Sequence, residues 1–575
     1  MAPPYFVGSR RAPGAESRDG RGMARPTGSD SLGIVDMTYD YVIVGAGSAG
    51  CVLAARLVED PGVRVLLLEA GPPDDALEIA MPSAFTGLFK SRYDWGHETT
   101  PQEHAQGRTV YWAAGRTLGG SSSTNAMTYV RCNPYDFDTW RDLHGCAGWG
   151  YADVLPYFLK AEDQQRGESP YHGVGGPLRV EDPRYKHPLV RAWVEAARAT
   201  GLAANHDFNG PVQDGVGFYQ LTQRRGRRWS TADAYLRTGP AGRDGRRRPP
   251  PGLTVHTDAL ATKVVIEGGR AAGVRYLHGG AERTATAERE VIVSGGAVNS
   301  PHLLMLSGIG PADHLREHGI DVRIDAPVGV GLQDHPTLAM MWHTPTTKGL
   351  WEYRNPGNVV LWQTLGRGPL ASNLVEGGGF VRSRDGLPAP DLQYHVVAAP
   401  VLRQGLAEPT TRTLSVLITP LTVASRGRVT LRSADPRWKP AMDPAYLSEP
   451  ADLDLFLRGV RLSREIAAQQ PLSRLVAGES APGEQLTGDA ELGEWIRGRS
   501  ATAHHPTGTC AMGGAETAVC DPELRVRGVE GLRVVDASVL PEIPRGGTNA
   551  TTIMLAERAA DLIRGRKPLD FPIPP

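Results

Sequence analysis

Tyr39-Asp40-Tyr41-Val42-Ile43-Val44-Gly45-Ala46-Gly47-Ser48-Ala49-Gly50 reads as a buried strand running into a glycine turn. The next residues, Cys51-Val52-Leu53-Ala54-Ala55-Arg56-Leu57, form a small-residue helix. A second apolar strand, Val63-Arg64-Val65-Leu66-Leu67-Leu68, ends on Glu69, 19 residues past Gly50. Strand, glycine turn, helix, second strand and acid in this order are the layout of a dinucleotide-binding α/β unit. Gly45 permits the tight turn, Gly47 lets the backbone approach a pyrophosphate, and Gly50 lets helix and strand pack closely. The helix N-terminus offers N–H groups and a positive dipole end to phosphates. Glu69 accepts the ribose hydroxyls, a charge-assisted bond worth roughly 1.5–3 kcal/mol. In a chain with 69 glycines the turn alone is weak evidence, and its neighbours carry the reading. The motif leaves NAD and FAD equally open.

The rest of the composition narrows the class. At 575 residues the chain exceeds one compact core, so two domains are expected. Apolar residues at 40% and charged residues at 22% are ordinary for a globular enzyme, and a net charge of −1 gives no field to steer nucleic acid or an anionic membrane. The arginine-rich stretch from Arg243 to Arg248, running into Pro249-Pro250-Pro251, lacks interleaved aromatics and reads as a solvated loop. Five cysteines (Cys51, Cys132, Cys146, Cys510 and Cys520) show neither zinc nor disulfide spacing, which points to a reducing, cytoplasmic setting and no structural metal. No apolar run approaches the length of a membrane span. Residues 1–36, with Arg10, Arg11, Arg18, Arg21 and Arg25 among Gly, Pro and Ser, read as a disordered leader with Met37 as the physiological start. Arg10-Arg11 has no apolar segment behind it to serve an export signal.

Strand-like runs return at Leu253-Thr254-Val255, Lys263-Val264-Val265-Ile266 and Glu290-Val291-Ile292-Val293, the last meeting a second glycine turn at Ser294-Gly295-Gly296-Ala297 before a helix. Between about 335 and 500, Leu392-Gln393-Tyr394-His395-Val396-Val397 and Leu414-Ser415-Val416-Leu417-Ile418 read as antiparallel strands of a second sheet. Leu532-Arg533-Val534-Val535-Asp536 is another buried strand ending in an acid, followed by a helix around Thr551 to Arg558. The expected fold is therefore α/β, with a Rossmann-like nucleotide domain of discontinuous segments (37–160, 250–334 and 500–567). It is interrupted by an α+β, antiparallel-sheet substrate domain (161–249 and 335–499).

Further motifs occur in order along the chain: Arg116 to Met127, including Gly119-Gly120-Ser121 and Thr124-Asn125-Ala126; Gly295 to Gly310, including Asn299-Ser300-Pro301; Leu332-Gln333-Asp334-His335; His505-Pro506-Thr507-Gly508-Thr509-Cys510-Ala511-Met512-Gly513; and Val534-Val535-Asp536-Ala537-Ser538. On these the chain resembles the glucose–methanol–choline oxidoreductases, most of all the bacterial choline-dehydrogenase-like alcohol oxidoreductases, from about Tyr39 to Arg564. The resemblance implies FAD, a substrate domain over the isoalloxazine face, and oxidation of an alcohol to an aldehyde or ketone. It implies that Glu69 holds the adenosine ribose, that Ser48 and Ala49 cap the pyrophosphate between Gly45, Gly47 and Gly50, and that Asn125 and Ala126 lie near the flavin ring. Asp536 and Ala537 approach its phosphate and ribityl region. Ala70, Arg116, Leu118, Gly120, Met127 and Ala261 complete the implied cofactor set. Some members attach flavin through a His before that Asn; Thr124 stands there, so FAD is expected to be non-covalent.

Alcohol oxidation needs a base for the hydroxyl proton, and a positioned base supplies roughly 10²–10⁴-fold. A histidine in a Pro/Gly loop more often just bonds backbone; the resemblance reverses that for His505 and makes it the base. His504 reads as a pocket wall, while His335 and His395 read as structural. Members usually carry a second His or Asn nine residues before the Ala of the terminal helix; counting back from Ala556 gives Gly547, which has no donor. Water, Asn549 or another pocket residue is left to take that role, and Asn549 also matches a family Asn at the flavin end. Trp351, Tyr353 and Trp362 line the pocket or pack the core; both readings stay open. The partners expected are an alcohol and an electron acceptor, oxygen or a quinone. Alternatives are a non-redox use of the scaffold, as in the family's hydroxynitrile lyases, a light-driven decarboxylase, and an NAD-binding or purely structural Rossmann protein.

Overall fold

The computed structural model describes residues 37–241 and 247–569. The expected leader, 1–36, and most of the arginine-rich stretch lie outside the described residues.

The first motif builds the centre of a seven-stranded sheet. Met37–Val44 pairs in parallel with Val65–Leu68 on one side and with Ala281–Val293 on the other. Leu253–His256 extends the parallel part beyond Val65–Leu68, and Leu532–Val534 extends it beyond Ala281–Val293. All four residues of Val65–Leu68 are buried, as expected for a strand covered on both faces. The N-terminal half of Ala281–Val293 leaves this parallel region and continues into an antiparallel meander with Arg270–His278 and Ala259–Glu267. Segments far apart in sequence therefore meet in one sheet. The Ser48–Leu57 and Thr548–Ile563 helices pack on it side by side, tied by the Arg56 guanidinium donating at 2.8 Å to both oxygens of the buried Glu557.

The second sheet is antiparallel. Pro336–His343, Thr413–Pro420, Leu392–Val397, Val375–Val381 and Gly215–Phe218 lie in that order, with Glu479–Ala481 and Ala501–Thr502 on the outer side of Pro336–His343. The Pro450–Ala468 helix covers one face. Gly459 makes this close contact possible, since a Cβ there would lie 2.4 Å from the Ile418 side chain. Alternation leaves Thr337, Ala339 and Met341, Gln393, His395 and Val397, and Leu417 and Thr419 on the other face. Five cysteines are buried and unpaired. No helix among the described residues is long and apolar enough to cross a membrane.

Candidate active site

The glycine turn is a cradle that side chains would fill. Gly45 has φ +96°, and a Cβ there would lie 2.4 Å from the Ser294 carbonyl oxygen. At Gly50 a Cβ would lie 1.9 Å from the Gly45 oxygen, and at Gly120 it would lie 2.7 Å from the Cα of Gly47. The first intrahelical bond runs from the Cys51 N–H to the Gly47 carbonyl at 3.1 Å, and no side chain caps this end. The N–H groups of Ser48, Ala49 and Gly50 therefore point out beyond the helix.

A cavity of about 1540 Å³ is lined by this turn at one end and by the His504–Pro506 loop at the other. Pockets for drug-sized ligands span roughly 300–1,000 Å³, so a dinucleotide and a second small molecule both fit. Gly45, Gly47, Ser48, Ala49, Glu69 and Ala70 line it, as do Arg116, Gly120, Asn125, Ala126, Met127 and Ala261. Asp536, Ala537, His505 and Asn549 line it too. Two expected residues do not. Gly50 faces the Gly45 carbonyl inside the helix–strand contact, and Leu118 packs on the core beside a second cavity of about 760 Å³. Gly50 thus has the packing role its place in the turn implied, and motif membership does not distinguish such a residue, or Leu118, from one that faces the cavity.

Glu69 is buried, its two oxygens accepting from Ala46 N–H at 3.0 Å and Gly71 N–H at 2.8 Å. Burial pushes its pKa up to about 7 against those two bonds. Asp536 accepts from the Gly296 N–H at 2.8 Å, the Ser538 N–H at 2.8 Å and the Ser300 hydroxyl at 2.5 Å. The Asn125 side-chain oxygen accepts from Met127 N–H and from Arg228, whose buried guanidinium also donates to the Ile79, Ser122 and Asn125 carbonyls. Burial without a bonded carboxylate pulls Arg228 down to about 9. Nothing in the run Arg224 to Arg228 singles Arg228 out by sequence, because its role comes from what surrounds it. Asn549 is tied to the nucleotide end, with the Ser48 hydroxyl donating to its Oδ1 at 2.7 Å.

The His505 end is built by the Leu332-Gln333-Asp334-His335 segment. Gln333 and Thr507 exchange backbone bonds at 3.1 and 2.9 Å. Buried Asp334 accepts from the His505 N–H at 2.8 Å, from the Thr502 hydroxyl at 2.6 Å and from the Tyr446 hydroxyl. This fixes the backbone under the imidazole. The His335 and His505 Nδ1 atoms lie 3.1 Å apart, and His335 Nε2 lies 3.3 Å from the Leu421 carbonyl oxygen. A carbonyl only accepts, so His335 Nε2 carries its proton and its Nδ1 is a lone pair. Burial pulls His335 down to about 3, keeping it neutral. His505 must then hold its proton on Nδ1, leaving Nε2 bare. The bare nitrogen faces Gly547, where a Cβ would lie 3.5 Å from it.

His335 is thus no remote structural residue, and His395 lines the cavity beside it. Sequence spacing could not bring positions 335 and 505 together; two paired loops do. His504 is a cavity wall, its ring 6.2 Å from that of Phe89. Trp351 and Tyr353 do not line the cavity, and Trp362 is fully buried against Met81 and Leu370 with its indole N–H on the Gly226 carbonyl at 2.8 Å.

Comparison with known proteins places these features. The sequence family described as GMC oxidoreductase matches at residues 39–337 with its N-terminal part and at 423–556 with its C-terminal part. The chain belongs to the GMC oxidoreductases. Among curated relatives it is 42% identical to the human protein named choline dehydrogenase, mitochondrial, covering 98% of this chain and 97% of that one. It is 43% identical to the oxygen-dependent choline dehydrogenase of Paraburkholderia phymatum, over 92% and 93% of the two chains. Among solved structures it is similar to pyridoxine 4-oxidase from Mesorbium loti (TM-score 0.83, 33% identity, 92% of this chain and all of that one). It is also similar to the formate oxidase of Aspergillus oryzae RIB40 (TM-score 0.84, 29% identity, 92% and 98%). As a GMC oxidoreductase it uses FAD and acts on CH–OH groups. The residues present fit that cofactor: the glycine cradle admits backbone contact only, the helix end offers unbonded N–H groups, and the buried Ser294 hydroxyl and Arg116 Nε on the cavity wall have no protein partner.

Proposed function

We propose that this GMC oxidoreductase oxidises a primary or secondary alcohol with His505 Nε2 as the base. The observation that carries this is the chain from the Leu421 carbonyl through His335 to His505, which leaves a bare nitrogen on the cavity. The hydroxyl proton moves to Nε2, while Nδ1–H stays on His335, so the protonated ring remains held on its far side. Bound FAD supplies the acceptor for the hydride leaving the carbinol carbon. His335 acts here as a positioning residue. Replacing it by Phe removes the acceptor for Nδ1–H and frees the tautomer. Anaerobic bleaching of bound flavin by an alcohol should slow by about tenfold or more, with FAD content unchanged and the acid limb of its pH profile shifted. An unchanged rate and unchanged profile would remove this role.

For the cofactor we infer that Glu69 and Ala70 hold the ribose end, Ser48 and Ala49 the pyrophosphate, Asp536 and Ala537 the ribityl region, and Asn125 with Ala126 the ring. Asn549, held by Ser48, belongs with this set more than with the substrate. The FAD-binding part takes 37–160, 250–334 and 500–567 and the substrate part 161–249 and 335–499, a division supported by the strands each sheet draws on apart from Ala501–Thr502, which pairs with Pro336–His343 of the second sheet. Thr124 on the cavity wall supports non-covalent attachment: acid precipitation should leave the yellow chromophore in the supernatant, and a yellow pellet would overturn this. A cytoplasmic, reducing location is supported by five unpaired buried thiols. Turnover needs an electron acceptor of the oxygen or quinone class. Cyanohydrin cleavage without bleaching by any alcohol would instead favour the lyase use of the scaffold.

A further inference from the structure

The second cavity, of about 760 Å³, shares no lining residue with the one that runs from the glycine turn to His505. Its walls are the segment 73–80, the hairpin of Gln223–Arg224 and Arg227–Arg228, and the end of the Pro356–Leu365 helix with Gly366. The hairpin reads Arg224-Arg225-Gly226-Arg227-Arg228, so arginine dominates one wall. Arg225 and Gly226 form its two-residue turn, with φ of +53° and +73°, the left-handed pair that suits tightly twisted strands. An arginine in that conformation carries a backbone cost that a glycine does not.

This turn is locked in place. A Cβ on Gly226 would lie 2.1 Å from the Gly366 carbonyl oxygen, and one on Gly366 would lie 1.9 Å from the Arg225 oxygen. The Trp362 indole N–H bonds the Gly226 carbonyl from the same side. Two of the guanidiniums are held as well, Arg224 over the Trp229 ring at 4.7 Å and Arg227 over the Trp362 ring at 4.4 Å. Stacking of this kind uses the flat face of a guanidinium and leaves its N–H edge open.

The charges around the cavity do not cancel. Asp74 and Asp233 both hold Arg237. Asp75 accepts from the Tyr93 hydroxyl at 2.9 Å and from Arg92 at 3.4 Å. Glu181, which takes the Arg225 backbone N–H at 3.0 Å, pairs through its side chain with Arg179 and Arg184. Arg228 spends its donors on Ile79, Ser122 and Asn125, and Arg247 reaches the Thr238 carbonyl at 3.5 Å. Among the described residues, the exposed guanidiniums of Arg224, Arg225 and Arg227 are left with neither a carboxylate nor a carbonyl.

We propose that this cavity binds a small anion with at least two charged oxygen groups, of the diphosphate or polycarboxylate class. Guanidinium forks match phosphate and carboxylate oxygens alike, and three of them converge here on one rigid hairpin. The volume falls within the roughly 300–1,000 Å³ of small-molecule pockets, which favours a compact ligand over an acidic protein surface. Arg225 fits the same reading: glycine would occupy its place without strain, so what the arginine adds there is a charge.

The test uses the FAD-loaded full chain, so that the nucleotide cradle is closed to the probes. Sodium pyrophosphate and sodium citrate are titrated separately at fixed ionic strength, with binding read by calorimetry and tryptophan fluorescence. At least one is expected to bind with a Kd below about 1 mM; pyrophosphate alone marks a phosphate ligand and citrate alone a carboxylate one. Replacing Arg224→Gln together with Arg227→Gln should weaken that binding at least about tenfold, with FAD content unchanged. Arg225→Gly suits the left-handed turn, so it should weaken binding without lowering the melting temperature. Absence of saturable binding by both probes overturns the inference, and so does binding that these variants leave unchanged.

Discussion

His505→Ala retains FAD and loses alcohol-driven bleaching by roughly 10²–10⁴-fold, the contribution of a positioned base. The retained cofactor follows from the geometry. The proposed nucleotide contacts lie on the glycine cradle, Glu69 and Asp536, and residue 505 is held by its own backbone N–H on Asp334, which alanine keeps. The loss follows from chemistry, since among the described residues His505 is the cavity imidazole whose bare nitrogen is set by the relay through His335. The wild-type pH profile gives a second readout. Burial, then the neighbouring imidazoles, hold the His505 pKa well below 6.5. The neutral base is therefore present at and above pH 6.5 and is lost only as pH falls through the lowered value. The acid limb should lie below pH 6.5; a limb at or above that, or unchanged bleaching in the alanine variant, would remove His505 as the base.

Gly50→Ala should give a folded chain that purifies with little flavin. The new Cβ would lie 1.9 Å from the Gly45 carbonyl oxygen, and that atom is backbone, so the turn itself must move. Overpacking of this kind costs about 1–3 kcal/mol, and the displaced segment is the one whose N–H groups are proposed to meet the pyrophosphate. Flavin content per chain and melting temperature measure both effects, and a full complement of FAD would contradict the cradle reading. Glu69→Gln tests the acid. It keeps the size of the side chain but turns one of the two oxygens that accept from Ala46 and Gly71 N–H into an NH2 group that cannot accept; with the charge-assisted acceptor worth roughly 1.5–3 kcal/mol lost, FAD affinity should fall by about 10- to 100-fold.

The nucleotide half was legible because its signals are local. A strand, a glycine turn and a helix occupy adjacent residues, and each glycine answers a backbone constraint that acts within a few positions. Asp536 was legible for the same reason, as an acid at the end of a buried strand. The substrate half was less so. Its strands were readable from alternation, but which face roofs a cavity depends on where the Pro450–Ala468 helix packs. Trp351, Tyr353 and Trp362 show this: aromatic side chains suit a pocket and a core equally, and the second reading holds for Trp362.

From the amino-acid sequence alone came the α/β class, the nucleotide cradle and its acid, which rest on propensity and spacing, and the candidate base at 505, which came from the family resemblance. Tertiary structure alone decided that His335 sets the tautomer of His505, that Arg228 grips Asn125, and that Asp334 holds the His505 backbone. Protonation state, desolvation and hydrogen-bond direction depend on atoms brought together from distant segments. Linear order carries no record of them.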